Sequence, residues 1–155
     1  MHVTPEERLQ REGLALPAPH PLVANYAWTV KTGSLLFVSA HGPFVDGQPA
    51  HMGKLGADMT VENGQKAAAT VMLNLLGTLK AELGELSRVS RFVKLLVFVN
   101  STPGFAEHHL VANGATDLLV KAFGDLGRPT RSAVGTSSLP FNFAVELEAI
   151  VELRD

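Results

Sequence analysis

The clearest pattern of hydrophobic and polar positions lies between residues 60 and 83. Apolar side chains recur there at intervals of three and four residues, which aligns them along one side of an α-helix. Thr60 is a favourable N-cap and Gly84 a favourable terminator, so this pattern predicts a helix over 60–83. The stripe consists of Ala68, Val71, Met72, Leu75, Leu76, Leu79 and Leu83.

Other segments alternate or concentrate apolar residues as β-strands do. The predicted strands are 26–30, 35–39, 92–99, 130–136 and 143–153. The first two flank Thr32-Gly33 and predict a β-hairpin. The third is nearly all apolar, which is typical of a strand covered on both faces. In the last, every second residue from Phe143 to Leu153 is apolar and shares one face.

Two further helices complete the order. Thr4-Pro5-Glu6-Glu7 combines an N-cap, a first-turn proline and two acids, and predicts a short helix over 4–13. Thr102-Pro103 predicts the start of a longer helix that ends at the glycines 124 and 127. Between the first helix and the hairpin, the proline-rich stretch 16–21 predicts an extended leader.

These elements predict an α+β fold of order ββ-α-β-α-ββ, a two-layer sandwich of a mixed sheet with two helices on one face. The 155 residues suit one domain, 1–155, of which 1–21 forms the short helix and the leader. Two helices cover only one face of the sheet. With 46% hydrophobic residues, we expect the other face to be buried between copies of the chain.

Composition excludes several classes of function. A net charge of −2 argues against a large nucleic-acid footprint, and no apolar run reaches the roughly 18 residues of a membrane span. The chain has no cysteine, and its 6 histidines lack metal-ligand spacing, so a metal site is not expected. Residues 1–12 lack the apolar core of a signal peptide, and we expect a cytoplasmic protein.

The candidate chemistry centres on Arg131 and Glu146. If the last two strands form a hairpin turning between Ser138 and Leu139, these residues lie directly opposite each other on one face. A slip of one residue would place them on opposite faces. The arginine fork suits a carboxylate and the glutamate suits a general base. The alternative is a surface salt bridge worth about 0–1 kcal/mol.

Three other residues have both a binding and a purely structural interpretation. Tyr26 alternates with Trp28 on the first hairpin, where packing is the simpler explanation. Asn113, a poor helix former inside a helix, suits either a ligand contact or an exposed polar position. Ser39 begins a run of small residues at a strand exit, where a ligand could approach the backbone. Ser39 has no evident His-Asp pair, so a hydrolase triad is unsupported.

The C-terminal third resembles the signature of the reactive intermediate deaminase family, also called Rid/YjgF or L-PSP endoribonuclease-like. The resemblance rests on the segments 129–135, Leu139-Pro140 and 145–149, and it extends over roughly residues 22–153. It implies a chorismate-mutase-like fold and a homotrimer with three clefts between subunits. It also implies the hydrolysis of 2-aminoacrylate or 2-iminopropanoate-type imines to 2-oxo acids and ammonia, without a cofactor.

By the same resemblance, Arg131 would hold the substrate carboxylate and Glu146 would activate water, as the two catalytic residues. Tyr26, Ser39, Asn113 and Ala133 would line the substrate cleft. The chain departs from the usual pattern at Ala40-His41, where the family commonly has Gly-Gln, at Ala133, which replaces a frequent cysteine, and in two longer loops. These departures indicate a divergent branch. A trimeric carboxylate-binding protein without turnover is the alternative function, and a ribonuclease is a weaker one.

Overall fold

A mixed sheet and the helices packed on it form the body of the protein in this computed structural model, which describes residues 2–155. The helices are α1 (Pro5–Arg11), α2 (Val61–Leu83) and α3 (His108–Phe123). The strands are β1 (Thr29–Thr32), β2 (Leu35–His41), β3 (Phe44–Val45), β4 (Gln48–Pro49), β5 (Val89–Asn100), β6 (Thr130–Thr136) and β7 (Val145–Leu153). The predicted α+β class and the predicted short N-terminal helix are confirmed, and a small hairpin, β3–β4, is added to the predicted order.

The five-stranded sheet has the order β1-β2-β7-β5-β6. Strand β6 runs parallel to β5 because α3 connects the two as a crossover, whereas β7 runs antiparallel to both of its neighbours. The hairpin hypothesis for the last two strands is therefore wrong. Strand β5 lies between β6 and β7, and the connection from residue 137 to residue 144 crosses the C-terminal end of β5 instead of making a two-residue turn.

The hydrophobic core lies between the helices and one face of the sheet. Helix α2 contributes its predicted stripe, and Leu147, Ala149 and Val151 of β7 face it from the sheet. The alternation predicted for β7 is thus confirmed, with its odd-numbered residues buried beneath the helices. Helix α1 is anchored outside this layer, where Glu6 accepts hydrogen bonds from Lys80 Nζ (3.0 Å) and from the backbone N–H of Leu86 (2.8 Å).

Several element boundaries differ from the prediction, and two of these differences bear on the candidate residues. Helix α3 begins at His108 and not at Thr102, because residues 101 and 102 still pair with Leu55 and hold the chain extended. Strand β1 begins at Thr29, so Tyr26 and Trp28 precede it. The extended leader crosses α2 at Gly77, where an added Cβ would lie 2.2 Å from the Pro17 carbonyl oxygen, and only glycine permits this approach.

The second face of the sheet carries apolar side chains that no element of the chain covers. Cross-strand neighbours on this face are Val30, Phe37 and Ile150 on one side, and Phe98 and Val134 on the other. Phe37 is 44% exposed and Val134 43% exposed. Single exposed apolar residues are ordinary, but a contiguous strip on an open sheet face is typical of an interaction surface. Within residues 2–155, no helix is long and apolar enough to cross a membrane.

Candidate functional site

Glu146 lies on the uncovered face of β7 and borders a cavity of about 520 Å³. The flanking Val145 and Leu147 point into the core, so the pleat directs the Glu146 carboxylate away from the helices. Burial alone raises the pKa of this carboxyl above its ordinary value of 4.5. A carboxylate whose pKa is raised in a cleft is a stronger base at neutral pH than a solvated one.

A β-bulge forms the wall of the cavity beside Glu146. The register of β2 on β7 shifts between Val38 and His41, so Ser39 and Ala40 together occupy the place of one residue. The Ser39 hydroxyl donates to the carbonyl oxygen of Ala27 at 2.6 Å. Both residues of the bulge line the cavity, as does Gly42 after it. The small residues at this strand exit therefore belong to a cavity wall.

The bulge also turns His41 beneath the sheet. Its Nδ1 lies 2.7 Å from the Ser39 carbonyl oxygen, and its Nε2 lies 2.8 Å from Thr78 Oγ1 on α2. Desolvation by burial lowers the pKa of His41 to about 4. A neutral ring satisfies both contacts, with Nδ1–H donating to the carbonyl and Nε2 accepting from the hydroxyl. Trp28 stacks on this ring, with centroids 4.2 Å apart.

The N-terminal leader closes one side of the cavity. Trp28 Nε1–H donates to the His20 carbonyl oxygen at 3.0 Å, which ties the leader to the start of the first hairpin. The His20 ring stacks on Phe44, with centroids 3.8 Å apart. Tyr26, predicted to bind substrate, packs edge-on against Trp28 and also lines the same cavity. A packing role and a position at the cavity are therefore compatible for this residue.

Arg131 projects from the other face of the sheet. It is aligned with Leu95 of β5, which is buried under the helices, and its guanidinium reaches α3. Its Nη1 donates to Asn113 Oδ1 (2.8 Å) and to Thr116 Oγ1 (3.2 Å), and its Nη2 donates to the His109 carbonyl oxygen (3.2 Å). Within residues 2–155, Nε–H has no protein acceptor, and Nη2, which carries two N–H groups, makes a single hydrogen bond.

The predicted site residues thus form two groups on opposite faces of the sheet. Glu146, Tyr26 and Ser39 border the aromatic cavity. Asn113 holds Arg131 on the α3 side, and Ala133, two residues further along β6, packs against the core there. The expected direct pairing of Arg131 with Glu146 is wrong, because the intervening β5 places their strands about 10 Å apart.

Sequence reasoning missed the aromatic side of the cavity. Phe44, Phe141 and Phe143 line it, and the family signature at Leu139-Pro140 ends just before two of these rings. Phe141 and Asn142 both adopt positive φ angles, 55° and 56°, which bulky residues rarely do. An available signal was the Phe-Asn-Phe sequence after a proline, at a place where a strand was expected to begin. Thr116, one helical turn after Asn113, was also missed.

Comparison with known proteins identifies the family. Residues 6–153 match the family described as YjgF/chorismate mutase-like, putative endoribonuclease. The chain belongs to this family. It is 47% identical over 148 residues to Protein TCP17 of Trypanosoma cruzi, covering 95% of this chain and 92% of the relative. The resemblance inferred from residues 129–149 is thereby confirmed.

Two solved structures superpose closely on this chain. A protein with unknown function from Agrobacterium tumefaciens is 44% identical with a TM-score of 0.91, covering 97% of this chain and 92% of the other. A putative endoribonuclease from Shewanella oneidensis MR-1 is 35% identical with a TM-score of 0.93, covering 97% and 99%. The match covers the whole five-stranded sheet and the two helices packed on it, so the chain has the YjgF fold. Membership of the family supports a function at the level of the family.

Proposed function

We propose that this protein hydrolyses 2-imino acids to 2-oxo acids and ammonia, at a site formed between neighbouring copies of the chain. The proposal rests on two functional groups that the fold positions on opposite faces of the sheet. One is a partly buried carboxylate, Glu146, in an aromatic cavity. The other is a guanidinium, Arg131, whose orientation is set by α3 and whose Nε–H has no protein acceptor.

Arg131 suits the carboxylate of the substrate. Three hydrogen bonds to α3 hold the guanidinium in place before any ligand arrives. The remaining Nε–H and Nη2–H are parallel donors, the geometry that binds a carboxylate through both oxygens. Because the fork is positioned in advance, little side-chain entropy is lost on binding. Asn113 and Thr116 then act as positioning residues, because they touch the arginine and not the substrate.

Glu146 suits the activation of water. Its carboxylate takes a proton from water as the oxygen adds to the carbon of the protonated C=N group, which gives a carbinolamine. The same proton is returned to nitrogen, and the C–N bond breaks with its electron pair leaving on ammonia. The carbinol oxygen passes its proton to Glu146 as the carbonyl forms, and Glu146 releases that proton to the departing ammonia. The products are a 2-oxo acid and an ammonium ion, so the reaction consumes only water. An imine is already electrophilic, so positioning and one base are sufficient.

A neighbouring subunit brings the two groups together in this proposal. Within one chain they lie on opposite faces of the sheet, so one chain alone does not form the complete site. The uncovered face, with Phe37 and Val134 exposed, supplies an apolar surface for association. A homotrimer pairs Arg131 of each copy with Glu146 of the next and forms three equivalent clefts in a closed ring.

The decisive experiment is a coupled assay on the purified full chain. An amino-acid oxidase generates the imine, semicarbazide traps what is not hydrolysed, and the rate of semicarbazone formation is measured. Addition of the protein should lower this rate, and neither Arg131→Lys nor Glu146→Gln should do so as effectively. Unchanged trapping, together with tight binding of 2-oxo acids, would support a binding protein instead. Cleavage of RNA by the parent, lost in Glu146→Gln, would favour a ribonuclease.

A further inference from the structure

The cavity beside Glu146 is larger and more aromatic than a three-carbon imine requires. Its volume of about 520 Å³ falls within the range of roughly 300–1,000 Å³ typical of sites for much larger ligands. Its walls include six aromatic rings, and Glu146 is the one acidic residue among the residues that line it. The rings belong to His20, Tyr26, Trp28, Phe44, Phe141 and Phe143.

Phe141 is presented to this cavity by an unusual backbone. Its φ of 55° is unfavourable for a bulky residue, and its side chain is nevertheless 62% exposed. The following Asn142 secures the turn, because its carbonyl oxygen accepts from Gly53 N–H (2.8 Å) and its Oδ1 accepts from the buried Asn100 (3.0 Å). Backbone strain that the surroundings hold in place clusters at ligand-binding sites, and the exposed ring is accessible to a ligand in this cavity.

The other rings are held in place by contacts with one another. Phe44 lies at the centre of the group, stacked on His20 and edge-on to Phe143, with centroids 5.3 Å apart. Phe141 approaches Phe143 at 5.3 Å. An added Cβ at Gly42 would lie 2.5 Å from the Phe143 ring, so the glycine makes room for it. The cavity is therefore preformed and has an apolar side beside its single carboxylate.

We infer that the imine substrate carries an aromatic or large aliphatic side chain, which packs against Phe141, Phe44 and Phe143 while its C=N group lies at Glu146. This inference rests on the proposed function and deepens it. Burying a phenyl group against these rings removes apolar area from water, and flat rings gain further from edge-on contacts. The faces of the same rings also favour a positively charged iminium next to the carboxylate.

The test measures binding separately from turnover. Phenylpyruvate and pyruvate, the stable 2-oxo acids that differ only in the side-chain ring, are titrated into the full chain by calorimetry. We expect phenylpyruvate to bind roughly ten- to hundredfold more tightly, the effect of burying one phenyl group. Phe141→Ala should remove most of this preference, because it weakens the binding of phenylpyruvate far more than that of pyruvate. Phe141→Leu, which keeps an apolar side chain, should retain part of it and guards against misfolding.

Leu126→Ala is the matched control, because Leu126 is exposed and apolar but lies outside the cavity. It should keep the full preference. Equal affinity for the two 2-oxo acids, or a preference that Phe141→Ala leaves intact, overturns the inference whether or not the protein has activity. Hydrolysis of the imines of alanine and phenylalanine, generated by a D-amino-acid oxidase, is measured in parallel. If the parent hydrolyses neither imine but still binds phenylpyruvate more tightly than pyruvate, the proposed function is contradicted and the aromatic subsite is upheld.

Discussion

Arg131 and Glu146 extend from opposite faces of one sheet, on strands that flank β5 from either side. In the proposed reaction neither acts alone, since Arg131 is assigned to the substrate carboxylate and Glu146 to the activation of water. The separation explains why the guanidinium is fixed to α3 while the carboxylate is surrounded by aromatic rings. It makes the proposed activity depend on assembly, which provides the first prediction.

The protein should sediment with a mass about three times its chain mass of 16.5 kDa. Phe37→Asp places a charge on the uncovered apolar face and should shift the protein towards monomers, because burying an unpaired carboxylate there is unfavourable. Imine hydrolysis should fall with the trimer fraction. Leu126→Asp, at an exposed position away from this face, is the control. A monomer with full activity would refute the shared site.

Arg131→Lys should lower kcat/KM for 2-imino acids about tenfold or more. Lysine keeps the charge but cannot present two parallel donors, and hydrogen bonds to charged groups contribute about 1.5–3 kcal/mol each. Stability should change little, because Arg131 is exposed. Arg128→Lys, on an exposed pair with Asp125, serves as the control for a general effect of losing an arginine. Activity of Arg131→Lys equal to that of the parent would remove Arg131 from the site.

Glu146→Gln should lower kcat more than it raises KM, because a base acting on water contributes to the transition state and little to ground-state binding. Removal of a general base typically reduces the rate about 10²–10⁴-fold, and the intrinsic reactivity of imines favours the low end. Glu148→Gln is the matched control, since Glu148 follows on the same face of β7 but is exposed. An unchanged kcat in Glu146→Gln would favour the binding protein.

The raised pKa of Glu146 has a second consequence, for pH dependence. The folded state holds this proton more tightly than the unfolded state, so its ionisation opposes folding and is most unfavourable above the raised pKa. Glu146→Gln should therefore unfold at equal or higher urea concentration than the parent at pH 7, and the advantage should shrink as the pH falls through that pKa. Activity of the parent should decline over the same interval. A clear loss of stability in the variant at pH 7 would indicate an unrecognised structural role.

Buried His41 predicts sensitivity to acid. Its pKa is lowered from 6.5 to about 4, so the unfolded state takes up a proton first and stability falls as the pH drops through this interval. The loss is on the order of 3 kcal/mol, since each pKa unit corresponds to about 1.4 kcal/mol. The free energy of unfolding, measured with urea, should fall less between pH 7 and pH 4 in His41→Gln than in the parent. Equal losses of stability in the parent and in His41→Gln would mean that other groups cause the acid sensitivity. His109→Gln, at an exposed histidine, is the control and should behave like the parent.

The local pattern of apolar and polar residues was sufficient to predict most helices and strands and which side of each is buried. The apolar stripe from Ala68 to Leu83 and the cap at Thr60 predicted α2 to within a residue, and the bounds of β6 were correct. Thr32-Gly33 placed the first hairpin, where Gly33 has a φ of 57°. These features depend on neighbours within a few residues, and helix caps, turns and periodicity record such short-range preferences directly. The family resemblance indicated Arg131 and Glu146 as candidate site residues but did not predict their geometry.

Tertiary structure decided which elements are neighbours and what each side chain faces. Alternation along β7 shows that one face is buried, but not that β5 rather than β6 pairs with it, because strand pairing joins residues distant in the chain. Arg131 faces α3 because a parallel crossover aligns it with Leu95. His41 turns inward because a bulge shifts the register by one residue. Phe141 stands at the cavity because Asn100, some 40 residues earlier in the chain, holds the turn beside it, and no local pattern encodes such a contact.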